Sequence, residues 1–180
     1  MRRQITALAL TAVTLLYGVG RPAPVGAGTL PKELAPLTFL LGDWEGGGAG
    51  TPGQGSGGTS FAAGLQDRVI IRTNFANVAA TATAPASRHD DLMVIYVNDR
   101  SAVAADYFDN EGHVIRYLVT TSGVGQVTFT SEPVPGAPQY RLTYQAAPDG
   151  VVKGSFALAP PGQPGTFSPY LNWSMVKARR

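Results

Sequence analysis

The chain has 180 residues, with 14 Lys and Arg against 12 Asp and Glu for a formal charge of +2; 44% of its residues are hydrophobic and 14% charged. That balance is too apolar for a disordered chain, and the length suits one domain. The absence of Cys excludes disulfides and any Cys-ligated zinc or iron–sulfur centre.

Residues 1–27 read as a secretory leader. Arg2 and Arg3 precede an uncharged apolar run from Ile5 to Leu16; Gly18, Gly20 and Pro22 break it, and Val25-Gly26-Ala27 supplies small residues for cleavage. The run is shorter than the roughly 20 residues of a membrane-spanning helix, and the Arg pair is also compatible with twin-arginine export. Removing Arg2, Arg3 and Arg21 leaves 11 basic residues against 12 acidic ones, a charge of −1. Three of the remaining basic residues, Lys177, Arg179 and Arg180, crowd the C-terminus. With no basic stripe elsewhere, the pattern argues against a nucleic-acid partner. Export without disulfides points to a bacterial periplasmic or extracellular setting, with no membrane span once the leader is gone.

Residues 28–180 are expected to form a single domain. Leu34, Leu37, Leu40 and Leu41 have helical spacing and Gly42 stops the run, which predicts a short N-terminal helix. Thereafter the apolar residues recur in runs of strand length bounded by Gly, Pro, Asn and Asp. Strands are predicted over Asp43–Gly48, Gly58–Ala63, Arg68–Val78, Asp91–Val97, Ala102–Phe108, His113–Thr121, Gln126–Ser131, Gln139–Gln145, Val151–Leu158 and Leu171–Ala178. Gln66-Asp67, Asn98-Asp99, Asn110-Glu111-Gly112, Ser122-Gly123 and Pro148-Asp149-Gly150 are turn chemistry. Short connections imply an antiparallel meander, and closure removes its edges. The predicted fold is all-β: an antiparallel up-and-down barrel of about ten strands with a short N-terminal helix. An outer-membrane barrel would need longer lipid-facing alternation and aromatic girdles, which this chain does not show.

Alternation also nominates an interior. Val69, Ile71, Thr73 and Phe75 share one face of their strand, opposite Arg68, Arg72 and Asn74. Phe75, Met93, Tyr107, Tyr117, Phe129, Tyr140 and Tyr144 are the candidate lining of a cavity for a small apolar or amphipathic ligand. His89 and Asp91 can share a face while Asp90 cannot; His89 and His113 are read as solvated strand-end residues, and no metal site is expected. Asp106 and Asp109 flank a turn and are read as solvated too. The stretch Gly46 to Gly58 is followed by a strand rather than a helix, so it is read as a flexible hairpin loop and not a phosphate-binding loop. No Gly-x-Ser-x-Gly elbow is present, and no catalytic residues are assigned.

The segment Phe39-Leu40-Leu41-Gly42-Asp43-Trp44-Glu45-Gly46-Gly47-Gly48 resembles the opening of calycin-type barrels, nearest to the nitrobindin-like and lipocalin-like bacterial families. The resemblance implies that Gly42, Trp44 and Gly46 form a barrel-floor motif. It also implies that a basic side chain of the last strand covers Trp44, with Lys177 and Arg179 as candidates and Arg179 favoured for its planar head. Nitrobindin-like barrels hold haem through a His of the last strand. Alignment of that run with Ser168 to Arg179 puts Tyr170 where the His belongs, and Tyr can ligate ferric haem. The expectation is therefore an exported binding barrel without a cofactor. The alternatives are a haem barrel acting on reactive nitrogen or oxygen species through Tyr170 or His89, and an envelope interaction module with a filled interior.

Overall fold

The computed structural model describes residues 29–50 and 55–179. The leader reading lies outside the described residues, as does Arg180. Ten antiparallel strands close into a barrel: β1 (Gly42–Gly50), β2 (Gly55–Gly64), β3 (Val69–Val78), β4 (Ser87–Val97), β5 (Val103–Asp109), β6 (Val114–Thr121), β7 (Gln126–Ser131), β8 (Gln139–Ala146), β9 (Val152–Ala159) and β10 (Ser168–Lys177). Each strand pairs with its neighbours in sequence, and β1 pairs with β10 to close the ring. No helix among the described residues is long and apolar enough to cross a membrane.

The barrel and its ten strands match the expectation, with two changes at the borders. β4 begins at Ser87, so that Arg88 and His89 pair with Asn77 and Ala76 on β3. The glycine-rich stretch is mostly strand: Gly46 to Gly50 and Gly55 to Gly58 belong to β1 and β2. Glycine there allows close approach, since a Cβ on Gly57 would stand 2.3 Å from the Phe75 carbonyl oxygen.

One end of the barrel is plugged. The N-terminal helix is a 3₁₀ helix over Ala35–Leu40, with Pro36 in its first turn. Leu34, Leu37 and Leu40 are fully buried there, each worth roughly 1.5–3 kcal/mol of burial. Gly42, at φ +113°, turns the chain from this helix into β1. Trp44 then lies buried on the floor, its indole N–H donating to the Leu40 carbonyl at 2.6 Å.

Above the floor the interior is solid. Phe61, Ile70, Met93, Ile95, Val127, Phe129 and Tyr144 are all buried. Edge-to-face contacts link Phe61 and Trp173 to Tyr144, Tyr144 to Phe129, Phe129 to Tyr117 and Tyr117 to Tyr107, with ring centres 5.6–6.4 Å apart. Trp173 crosses the inner face of Gly154, where a Cβ would lie 2.0 Å from the indole.

Candidate functional site

The half of the barrel away from the plug differs in kind. Its inner-face side chains Asn74, His89, Tyr107, Ile115, Tyr140 and Phe156 are only half-buried, so among the described residues this half is the less tightly packed one. Around the ring, β3, β4 and β5 give a polar wall, and β8, β9 and β10 give an aromatic one. On the aromatic side Tyr140 stacks on Phe156 at 5.8 Å, and Tyr170 meets the Phe156 ring edge-on at 6.3 Å.

The polar wall is anchored by a buried ion pair. Arg72 Nη1 lies 3.2 Å from Asp91 Oδ1, with side-chain exposures of 7% and 3%. Asp91 Oδ2 accepts from the Asn74 amide at 2.8 Å and from Arg72 Nη2 at 3.5 Å. Asp91 Oδ1 receives no properly directed hydrogen bond despite its closeness to Nη1. Burial works against the Arg72 cation, but the neighbouring Tyr144 and Asp91 outweigh it and hold its pKa above the ordinary value. Such a pair is costly to bury and seldom improves stability over apolar packing.

A chain of contacts leads from this pair to the rim. His89 Nε2 is 3.4 Å from Asp91 Oδ2 and 3.0 Å from the Tyr107 hydroxyl, while its Nδ1 is 3.1 Å from Glu111 Oε1. The bond to Asp91 raises the His89 pKa to about 9, with Glu111 adding to the shift against partial burial. The Tyr107 hydroxyl donates to Asp109 Oδ2 at 3.2 Å, and His113 Nδ1 lies 2.8 Å from the same oxygen. Burial opposes the Asp109 charge, but the backbone N–H of His113, the His113 ring and the backbone N–H of Glu111 hold its carboxyl below the usual range.

Six of the seven expected lining residues, Met93, Tyr107, Tyr117, Phe129, Tyr140 and Tyr144, face inward. Met93, Tyr117, Phe129 and Tyr144 are packed core, whereas Tyr107 and Tyr140 face the open half. Phe75 does not join them. It lies on the outer face over Gly58, with the Arg88 guanidinium 4.5 Å above its ring. The inner face of β3 is instead Ile70, Arg72 and Asn74, because Asp91 on β4 supplies the partner Arg72 needs. Asp109 is likewise not solvated, with a side chain 4% exposed. Asp106 sits on the outer side, accepting from Tyr96 at 3.2 Å. His89 and Asp91 do share the inner face, and Asp90 points out to Arg88 at 2.9 Å.

At the floor, the cation over Trp44 is Lys177, not Arg179. Lys177 pairs directly with Trp44 in register and its Nζ lies 3.9 Å from the ring centre. Arg179 lies beyond the last strand and is exposed. Gly46 pairs with Met175 and Gly57, as a floor-proximal small residue should. Tyr170 is 40% exposed at the mouth. Its ring meets Phe156 edge-on, and Phe156 is stacked in turn on Tyr140.

No protein-family model matches the chain, and no curated protein matches it. Among solved structures it is similar to the crystal structure of Rv2717c from M. tuberculosis, with a TM-score of 0.54 and 18% identity over 84% of this chain and 100% of that one. At that identity the likeness concerns the fold alone: a closed antiparallel β-barrel.

Proposed function

We propose that the protein is an exported, nitrobindin-like or lipocalin-like binding barrel that takes a small amphipathic molecule into its open half. The observation that carries this reading is the half-buried Tyr140–Phe156 stack standing across the barrel from the half-buried polar side chains Asn74, His89 and Tyr107. The polar head of the ligand would meet Asn74, His89 and the Tyr107 hydroxyl, which the buried Arg72–Asp91 pair holds in place. The apolar body would lie on the Tyr140–Phe156 stack across the barrel. Because the lower interior is filled, the ligand is small and does not reach the floor. This combination of apolar wall and a few placed polar groups is what small-molecule sites share.

The test is native mass spectrometry of the purified chain, followed by titration with amphipathic fluorescent probes carrying amide or hydroxyl heads. Saturable binding at one site, weakened about tenfold by Tyr140→Ala (about 1.4 kcal/mol), supports the reading. A chain that carries nothing and binds no probe sinks it. A Soret band on adding haem that Tyr170→Phe removes would favour the haem reading instead.

A further inference from the structure

We propose that His89, His113, Asp109 and Glu111, at the rim of the open end, bind one divalent transition-metal ion of the zinc class. His89 comes from β4, Asp109 ends β5, and Glu111 and His113 sit in and just after the turn into β6. Ligand atoms of His89, Asp109 and Glu111 lie within 4.8 Å of one another. Three points so placed have a centre no more than about 2.8 Å from each, against roughly 2.0–2.2 Å for metal bonds to imidazole or carboxylate. Small side-chain rotations close that gap for these three, and His113, outside that group of three but on Asp109 Oδ2, joins by a rotation of its own exposed ring. His89 Nδ1 is 3.1 Å from Glu111 Oε1, and His113 Nδ1 is 2.8 Å from Asp109 Oδ2 and 3.9 Å from Glu111 Oε2. Two ligands on adjacent positions of one ion stand about 3.0–3.4 Å apart, so both imidazole–carboxylate pairs already have nearly that spacing.

A second observation points to a ligand. The opposite nitrogen of His89 is held from behind by the buried Asp91, with a side chain 3% exposed, and by the half-buried Tyr107 hydroxyl, 3.4 and 3.0 Å from Nε2. With the proton on Nε2 donated to these acceptors, the Nδ1 lone pair faces Glu111 and the rim. A carboxylate behind an imidazole fixes its tautomer and raises its strength as a metal ligand. Tyr107 in turn donates to Asp109, and Asp109 Oδ1 accepts the backbone N–H groups of Glu111 and His113. Two imidazoles with two carboxylates suit zinc, cobalt, nickel or manganese rather than the all-oxygen shell of calcium. The ion takes the place of the proton between His89 Nδ1 and Glu111. This goes beyond the ligand reading, because the ion sits on the rim side of His89 and the organic ligand on its Asp91 side.

The experiment is titration of the full, untagged chain, stripped with a chelator, with Zn(II) by calorimetry and with Co(II) by visible absorption. One ion per chain and visible cobalt bands are expected. Glu111→Gln and His113→Ala, both on an exposed turn, should each weaken binding by about tenfold or more while leaving the far-ultraviolet circular dichroism unchanged. No saturable uptake, or uptake that neither substitution weakens, overturns the proposal. Probe binding by the metal-free chain is measured alongside, so failure here and failure of the ligand reading are told apart.

Discussion

Lys177 stands directly across from Trp44 where β1 meets β10, its ammonium 3.9 Å from the centre of the indole ring. It also donates to the Leu41 carbonyl, so one side chain ties the last strand to both the floor and the end of the 3₁₀ helix. Lys177→Met keeps the stem and removes the cation. The expected loss is about 0.5–1 kcal/mol, or a fall of roughly 1–4 °C in Tm, read by thermal unfolding. A larger fall for Arg179→Met than for Lys177→Met would reverse the assignment.

The Arg72–Asp91 pair predicts a non-additive result. Asp91→Leu alone strands a buried guanidinium and should cost about 3–5 kcal/mol in urea unfolding. Adding Arg72→Met removes the stranded charge, so the double variant should recover most of that loss. If the double variant is as unstable as the sum of the two singles, the pair is not coupled as described.

Gly154 faces the Trp173 ring with no space for a methyl group. Gly154→Ala must push the indole off its contact with Tyr144. A destabilisation of about 1–3 kcal/mol is expected from such overpacking, accompanied by a change in the near-ultraviolet circular dichroism. An unchanged spectrum with unchanged stability would show that Trp173 moves freely.

Burial pushes the hydroxyls of Tyr117 and Tyr144 above the ordinary value of 10.0. A raised folded-state value means that the native state holds these protons more tightly than the unfolded chain does. The associated stability is fully present below pH 10 and is lost as the pH rises through the folded-state values. In an alkaline titration followed at the tyrosinate band, these two residues should ionise together with unfolding. Their smooth ionisation while the chain stays folded would contradict their burial.

Much of the fold was legible because alternation and turn chemistry agree along the chain. Asp149 and Gln66 at positive φ, and Gly112 and Gly123 likewise, occupy the corners their residue types suggest. The inner face of β3 was not legible. Val69, Ile71 and Phe75 outscore Arg72 and Asn74 in apolarity, and only the partner strand reveals that Arg72 meets Asp91. The start of β4 was hidden for a related reason: Ser87, Arg88 and His89 look like a loop, and their strand state comes from pairing with β3. Sequence spacing placed His89 beside Asp91 on one face. It could not bring His89 to Asp109 and Glu111, because that grouping depends on the register between β4 and β5 and on the turn that follows. Choosing Lys177 over Arg179 needed the register of β10 against β1.

Every pairing in the barrel but one joins strands that are consecutive in the chain; the exception is β1 with β10. Nine hairpin contacts can therefore form early and locally, while the closing contact must gather residues more than a hundred positions apart and sets a high topological barrier. Until it forms, the chain is an open sheet with two bare edges, one of them the glycine-rich β1. Two such sheets could trade edges and regain every hydrogen bond the seam provides. The junction between Trp44 and Lys177 is thus the contact that removes both bare edges at once.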